Sequence, residues 1–229
     1  MTSWNAAARP VWPATSPNPD VTASRRSRLG KTLAHFNFAA APGINRTLVQ
    51  ELATCAFLAR HENILICGPT GVGKSHLANA IACEALKRDR RVLSRSTQRL
   101  LADLHAARAS GSQSRLLARV LAADLLVLDD FGLLPLSPQA AQDLYQIISE
   151  RYEHGSMVVT SNRAFEEWAE VFGDNLLASA ALDRLTHHAH TLIIRGASYR
   201  QRSHTKESAN YPTATSLEQP PRVTSEQIA

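Results

Sequence analysis

Eight consecutive residues, Gly68-Pro69-Thr70-Gly71-Val72-Gly73-Lys74-Ser75, have the spacing G-x-x-x-x-G-K-[ST] of a loop that holds a polyphosphate. Glycines permit a turn tight enough for successive backbone N–H groups to point inward, and a helix opening at the loop's end adds partial positive charge. In such a loop Lys74 reaches the outer phosphates and Ser75 ligates Mg²⁺. The run from Gly68 to His76 is therefore the expected ATP-binding stretch. A glycine-rich turn with a solvated lysine is the ordinary alternative; the apolar segment before the loop and the helical pattern after it favour the phosphate reading.

Two acids, Asp129 and Asp130, follow the apolar run Leu125-Leu126-Val127-Leu128. Parallel-sheet nucleotide sites gather their ligands at such strand ends. Asp129 is the expected Mg²⁺-side carboxylate, and Asp130 the candidate for orienting or deprotonating an attacking water. The competing reading for each is a turn cap. Val158-Val159-Thr160-Ser161-Asn162 is a further apolar run ending in polar groups that could reach a γ-phosphate or its water. Asn162 alternatively caps the next helix. Arg184 lies in a helix-like segment from Asp174 to Ala189; its planar fork suits transition-state charge on phosphate, although most helix arginines are simply solvated.

The surrounding elements must place these groups at one sheet edge. Apolar spacing predicts a helix from about Asn45 to Arg60, a strand at Asn63–Cys67, and a helix from Lys74 ending in the basic cluster Lys87, Arg88, Arg90 and Arg91. A strand at Val92–Arg95 precedes a helix capped by Ser96 or Thr97 and bearing Leu100, Leu101 and Leu104. Gly111 and Ser112 break it. A short helix, a strand at Asp124–Leu128, a helix at Pro138–Tyr152, a strand at Met157–Thr160, two helices and a strand at Thr191–Arg195 complete the pattern. Five short apolar strands separated by helices predict an α/β fold, a doubly wound parallel sheet covered on both faces.

The series GPTGVGKSHLANAIA, LLVLDDFGLLPLS, ERYEHGSMVVTSNR, EEW, ALDRLTHHAHTLIIRG and SYRQR resembles, in order and separation, the motifs of IstB-like ATPases, helper proteins of insertion-sequence transposition. The resemblance covers about residues 31–202. The 55-residue gap from Lys74 to Asp129 likewise resembles the P-loop NTPases with an inserted strand, among them AAA+ proteins. It implies a three-layer αβα sandwich with a five-stranded parallel sheet of the AAA+ type. Asn162 then matches the sensor-1 residue, Arg184 the arginine finger offered to a neighbouring subunit, and Arg200 a sensor-like position near the phosphates. The family implies ATP and Mg²⁺ as cofactors, assembly as a homo-oligomer on double-stranded DNA, and a partner transposase. Candidate DNA-facing residues are Lys87, Arg88, Arg90, Arg91, Arg95 and Arg99; a solvated helix face explains them as well. His187, His188 and His190 read as packing or surface residues rather than metal ligands. Two departures stand out: a Pro-rich basic stretch replaces the family's longer N-terminal helical domain, which reads as a truncated or misassigned start, and Asp130 stands where many AAA+ proteins have Glu. The competing functions are a helicase loader similar to DnaC, a DNA scaffold that holds ATP with little turnover, and a non-functional remnant.

Composition agrees with one ordinary domain. Hydrophobic residues are 44% and charged residues 20% of 229, which excludes disordered and fibrous classes. Residues 1–28 and 203–229 lack a helix or strand period and are expected to be disordered; 29–60 are expected as a helical lead-in and 61–202 as the ATPase domain. Residues 1–60 carry seven basic against two acidic side chains, residues 61–202 sixteen against fifteen. A basic approach segment before a nearly neutral body suits a nucleic-acid partner. Cys55, Cys67 and Cys83 fit no zinc or disulfide spacing, and no apolar run is long enough for a membrane span or signal core, so a cytoplasmic setting with three core thiols is expected.

Overall fold

Successive side chains of a strand leave on opposite faces of its sheet, and the apolar residues here divide accordingly into two cores. One contains Leu65, Cys67, Leu93, Leu126, Leu128, Met157 and Val159; the other contains Ile64, Ile66, Val92, Leu125, Val127 and Val158. The four strands these residues come from therefore feed both cores, as a sheet covered on two sides requires. The computed structural model describes residues 32–41, 43–196 and 198; the expectations for residues 1–28, 203–229 and Arg200 lie outside them.

The strands are β1 (Asn63–Cys67), β2 (Val92–Ser96), β3 (Leu125–Phe131), β4 (Ser156–Ser161) and β5 (Ala189–Ile193). All neighbours are parallel, in the order β2-β3-β4-β1-β5. The helices are α1 (Arg46–Ala53), α2 (Lys74–Lys87), α3 (Thr97–Ala109), α4 (Gln113–Ala122), α5 (Pro138–Arg151), α6 (Trp168–Phe172) and α7 (Asn175–Thr186). The lead-in with α1 and α2 covers one face, and α3 to α7 cover the other, giving the three-layer αβα sandwich. Helix starts follow side-chain chemistry: the Asn45, Ser96, Ser137 and Asp174 oxygens accept from Leu48, Arg99, Ala140 and Leu177 N–H groups, and Pro138 opens α5. Among the described residues no helix is long and apolar enough to cross a membrane.

Five expectations need correction. The segment Asn45–Arg60 is not one helix: the Thr54 hydroxyl bonds Glu51 O and accepts from Ala56 N–H, Cys55 turns to φ 62°, and a 3-10 turn follows at Ala56–Leu58. A local side-chain bond here replaces the next helical turn. Asp124 stays outside β3 because its carboxylate receives the Arg91 backbone N–H (2.8 Å) and guanidinium (2.8 Å). β3 instead continues through Asp129 and Asp130, and β5 begins two residues earlier than expected, in register with Asn63. The helix expected as far as Ala189 stops at Thr186, since Ala189 already belongs to β5. Cys55 and Cys67 are core thiols, and burial pushes Cys67 up to about 11; Cys83 is only half-buried.

Two buried polar side chains hold the sheet's N-terminal edge. Asn63 donates to Leu185 O (3.0 Å) and accepts from Met157 N–H (2.9 Å), tying β1 to β4 and to the end of α7. Arg151, 2% exposed, donates to the Val120, Ala123 and Ser156 carbonyls at 3.0, 3.0 and 2.7 Å. Burial lowers its pKa to about 10, which leaves it protonated at neutral pH.

Burial raises the Asp124 pKa, but the Arg91 hydrogen bonds outweigh it and the net shift is downward. A depressed carboxylate contributes stability that is present above its unfolded pKa of about 3.9 and is lost as pH falls through the folded value. Asp124→Asn is therefore expected to cost about 2 kcal/mol at pH 7. In urea titrations at successive pH values, the gap between wild type and variant should shrink below about pH 4.

Candidate nucleotide site

The loop that leaves β1 is pinned on both sides before it turns. Gly68 N–H donates to Ser161 O at 3.2 Å, and Ile194 N–H donates to Cys67 O at 2.8 Å. A Cβ at Gly68 would collide with the Ile194 carbonyl, so only glycine fits there. Gly73 has φ 101° and is the N-cap of α2, where no side chain caps the helix. No side chain at the N-cap therefore competes for the first turn of α2, a helix end whose dipole favours an oxyanion.

Lys74 is 6% exposed, and its ammonium donates to Pro69 O at 2.8 Å, inside the curve of the loop. Val72 is buried in the core that contains α2, which anchors the loop, while Pro69 and Thr70 form an exposed tip; Gly71 is half-buried. Ser75 is half-buried on the first turn of α2. The side chain of His76 faces the lead-in: Nε2 lies 3.1 Å from Thr32 O, and the ring meets Phe36 edge-on with centroids 5.4 Å apart. Any contact from His76 to a nucleotide would therefore come through its backbone.

The two acids diverge at an irregularity in β3. Pairing with β4 shifts register between Leu128 and Phe131, and Asp130 takes φ 55°; Asp130 is exposed while Asp129 is half-buried. A bulge of this kind re-aims a side chain. Thr160, fully buried on β4, donates its hydroxyl to Asp129 Oδ1 and accepts from Asp130 N–H at 3.1 Å. Thr97 Oγ1 donates to Asp129 O at 3.1 Å. One hydroxyl thus fixes both the Asp129 carboxylate and the Asp130 backbone.

This differs from the sequence reading, in which Thr160 and Ser161 could reach a phosphate or water. Both are fully buried and turned onto β3, Ser161 Oγ donating to Phe131 O at 2.8 Å. Asn162, one residue past β4, is exposed at the same sheet edge as Asp130 and the loop. Sequence reasoning also missed Arg163, whose Nε donates to Gly132 O at 2.7 Å and clasps the β3 and β4 exits together. A polar Thr160 inside an apolar strand was the available signal, because a buried hydroxyl requires a partner. Trp168 is core, its ring 4.6 Å from that of Phe131.

The donor set suits Mg²⁺. Ser75 offers a hydroxyl and Asp129 a carboxylate whose Oδ1 is held by Thr160, and such hard oxygen ligands are those Mg²⁺ prefers.

Arg184 lies elsewhere. It sits near the end of α7, beside Leu185, whose carbonyl is bound by Asn63 at the start of β1; its Nη1 donates to Ala180 O at 2.9 Å, and its guanidinium lies 5.4 Å from the Tyr145 ring centroid. The loop begins at the other end of β1, so the length of that strand, about 13 Å for four steps of about 3.3 Å, separates the two. The six candidate DNA-facing residues also divide. Lys87, Arg88, Arg90 and Arg91 lie before β2 at the Arg184 edge, whereas Arg95 and Arg99 lie at the loop edge, where Ser96 pairs with Asp129. Lys87 and Arg88 pair with Glu84, Arg91 with Asp124 and Arg99 with Asp103.

Comparison with known proteins bears on this geometry. Residues 21–207 match the family described as IstB-like ATP binding protein. A Pseudomonas aeruginosa protein designated an ATP-binding protein of insertion sequence IS21 is 45% identical over 170 residues, 74% of this chain and 64% of that one. A Geobacillus stearothermophilus protein similarly designated for insertion sequence IS5376 is 40% identical over 172 residues, 75% of this chain and 68% of its own. This chain spans less than two thirds of the Pseudomonas relative. The solved structure of DnaI has a TM-score of 0.64 at 23% identity, covering 74% of this chain and 94% of that one. For the DnaC helicase loader the values are 0.61, 22%, 74% and 99%, and for AMPPCP-bound DnaA from Aquifex aeolicus 0.62, 23%, 80% and 57%. At these identities the structural likeness is one of fold, the P-loop fold of AAA+ type. With a family match spanning most of its length and relatives at 40% and 45% identity in sequence, the chain belongs to the IstB-like ATP-binding proteins.

Proposed function

We propose that this chain is an ATPase that assembles as a homo-oligomer on double-stranded DNA and, in its ATP state, stimulates a partner transposase. The observation that carries the reading is the placement of Arg184 at the sheet edge opposite its own phosphate loop. An arginine so placed reaches a γ-phosphate only across a head-to-tail subunit contact, and such contacts generate rings or filaments. Family membership and the insertion-sequence designations of the relatives support the DNA and transposase partners.

In this mechanism the loop N–H groups and the α2 N-terminus bind the phosphates, and Lys74 shifts from Pro69 O to the outer phosphate oxygens. Ser75 and Asp129 would hold Mg²⁺, which would supply neutralising charge there. Asp130 orients the attacking water and takes its proton, while Asn162 donates to the water or the γ-phosphate. The neighbour's Arg184 stabilises charge that develops on the transferred group. Thr160 positions the Asp129 carboxylate and the Asp130 backbone.

ATPase rates measured with and without double-stranded DNA over a range of protein concentrations test the assembly. The expected result is a DNA-stimulated rate that rises more than linearly with protein and falls by about 10³-fold or more in Lys74→Ala and in Arg184→Ala. A rate indifferent to DNA and to Arg184→Ala would sink the trans mechanism and leave an ATP-holding scaffold. Asp130→Asn should bind ATP normally, lose about 10²-fold or more in turnover, and give longer-lived DNA complexes by filter binding. Thr160→Val should retain nucleotide binding and lose about 10- to 100-fold in turnover, as removal of an orienting partner does.

A further inference from the structure

Helices α5 and α7 both run toward the N-terminal edge of the sheet, α5 into β4 and α7 into β5. Just past their ends three side chains with metal-binding chemistry meet. Glu153 follows α5 in the turn to β4; His187 is the C-cap of α7, and His188 follows it. One ligand atom from each lies within 4.8 Å of the other two. The two imidazole centroids are 4.0 Å apart. His187 Nδ1 is 2.8 Å from the Tyr152 hydroxyl, an outer contact of the kind that fixes the tautomer and ring orientation of a metal-ligating histidine. In the tautomer that donates from Nδ1 to the tyrosine oxygen, Nε2 keeps its lone pair for a metal. Both helices also present their negative dipole ends here, which favours a cation.

We propose that Glu153, His187 and His188 form a binding site for a divalent transition-metal ion of the Zn²⁺ class. Two imidazoles and one carboxylate are a ligand set that Zn²⁺ accepts, with a fourth position open to water. The nitrogen donors disfavour Mg²⁺ and Ca²⁺, which take oxygen ligands. The site is separate from the phosphate loop and independent of the proposed ATPase mechanism. Its bound ion ties the α5–β4 turn to the α7–β5 turn, joining residues that are far apart in sequence, and it does so beside Arg184, which shares a cleft with Tyr152 and Asp183. The two histidines alone present no metal-binding spacing; the third ligand is supplied by the fold.

All three side chains are exposed, so their replacement tests binding with little risk to folding. The full chain, stripped with a chelator and free of nucleotide, would be titrated with Zn²⁺ against a colorimetric chelator, alongside Glu153→Gln, His188→Ala and, as a control at an exposed histidine elsewhere, His105→Ala. The expected result is one Zn²⁺ per chain, at least about 10-fold weaker binding in Glu153→Gln and His188→Ala, and no change in His105→Ala. Zn²⁺ should raise the melting temperature of wild type but not of the two ligand variants. Absence of a stoichiometric ion, or equal affinity in wild type, Glu153→Gln and His188→Ala, would overturn the site. Glu153→Gln preserves side-chain shape, so a loss confined to ligand variants reports coordination.

Discussion

Strand β4 is the ruler to which the candidate site is indexed. It pairs in parallel with β3 on one edge and β1 on the other, placing Ser161 level with Phe131 and with Cys67. The phosphate loop starts from Cys67, and the two acids precede Phe131. Their relative height is therefore set by backbone pairing. A one-residue slip of β4 would exchange the side chains it sends to the two cores and shift the acids relative to the loop. Burial of β4 along its whole length makes such a slip costly.

At the end of this ruler a single hydroxyl performs two tasks. Thr160 holds the Asp129 carboxylate and satisfies the Asp130 N–H, and the bulge between Leu128 and Phe131 then turns Asp130 outward. Two adjacent carboxylates would otherwise project to opposite faces of a regular strand. The bulge and the hydroxyl bring both to the open edge, one half-buried and one exposed. The opposite edge is held by Asn63 and Arg151, whose bonds are mostly to backbone carbonyls. Arg151 thus stays charged in the interior, because three carbonyl dipoles replace much of the lost water and the Asp124 carboxylate adds attraction. Buried hydrogen bonds consequently tie the sheet at both ends, and the length of β1 separates Arg184 from the loop.

Much of this was legible in the residues. The loop from Gly68 to Ser75 requires glycine where backbone approaches backbone or φ is positive, and such requirements are local. The alternation of strand-like and helical apolar runs fixes an α/β class, since a strand with both faces apolar must be covered on both sides. The family motifs, read in order, identified the membership that the comparisons bear out. Where local chemistry competes with periodicity, boundaries moved: Thr54 ends α1 early, and Asp124 is drawn from β3 by Arg91.

The remaining features depend on contacts between segments distant in sequence, which periodicity does not encode. That Thr160 faces Asp129 follows from the β3–β4 register. The division of the basic residues between two edges follows from β2 running between them, and the meeting of Glu153 with His187 and His188 from two helices ending at the same edge. The sequence by itself determined which backbone turns and which cores are possible, because those rest on steric and hydrophobic constraints of neighbouring residues. Tertiary structure alone decided which side chains share an edge, because parallel pairing aligns strands that the chain visits in the order β1, β2, β3, β4, β5 but assembles as β2-β3-β4-β1-β5.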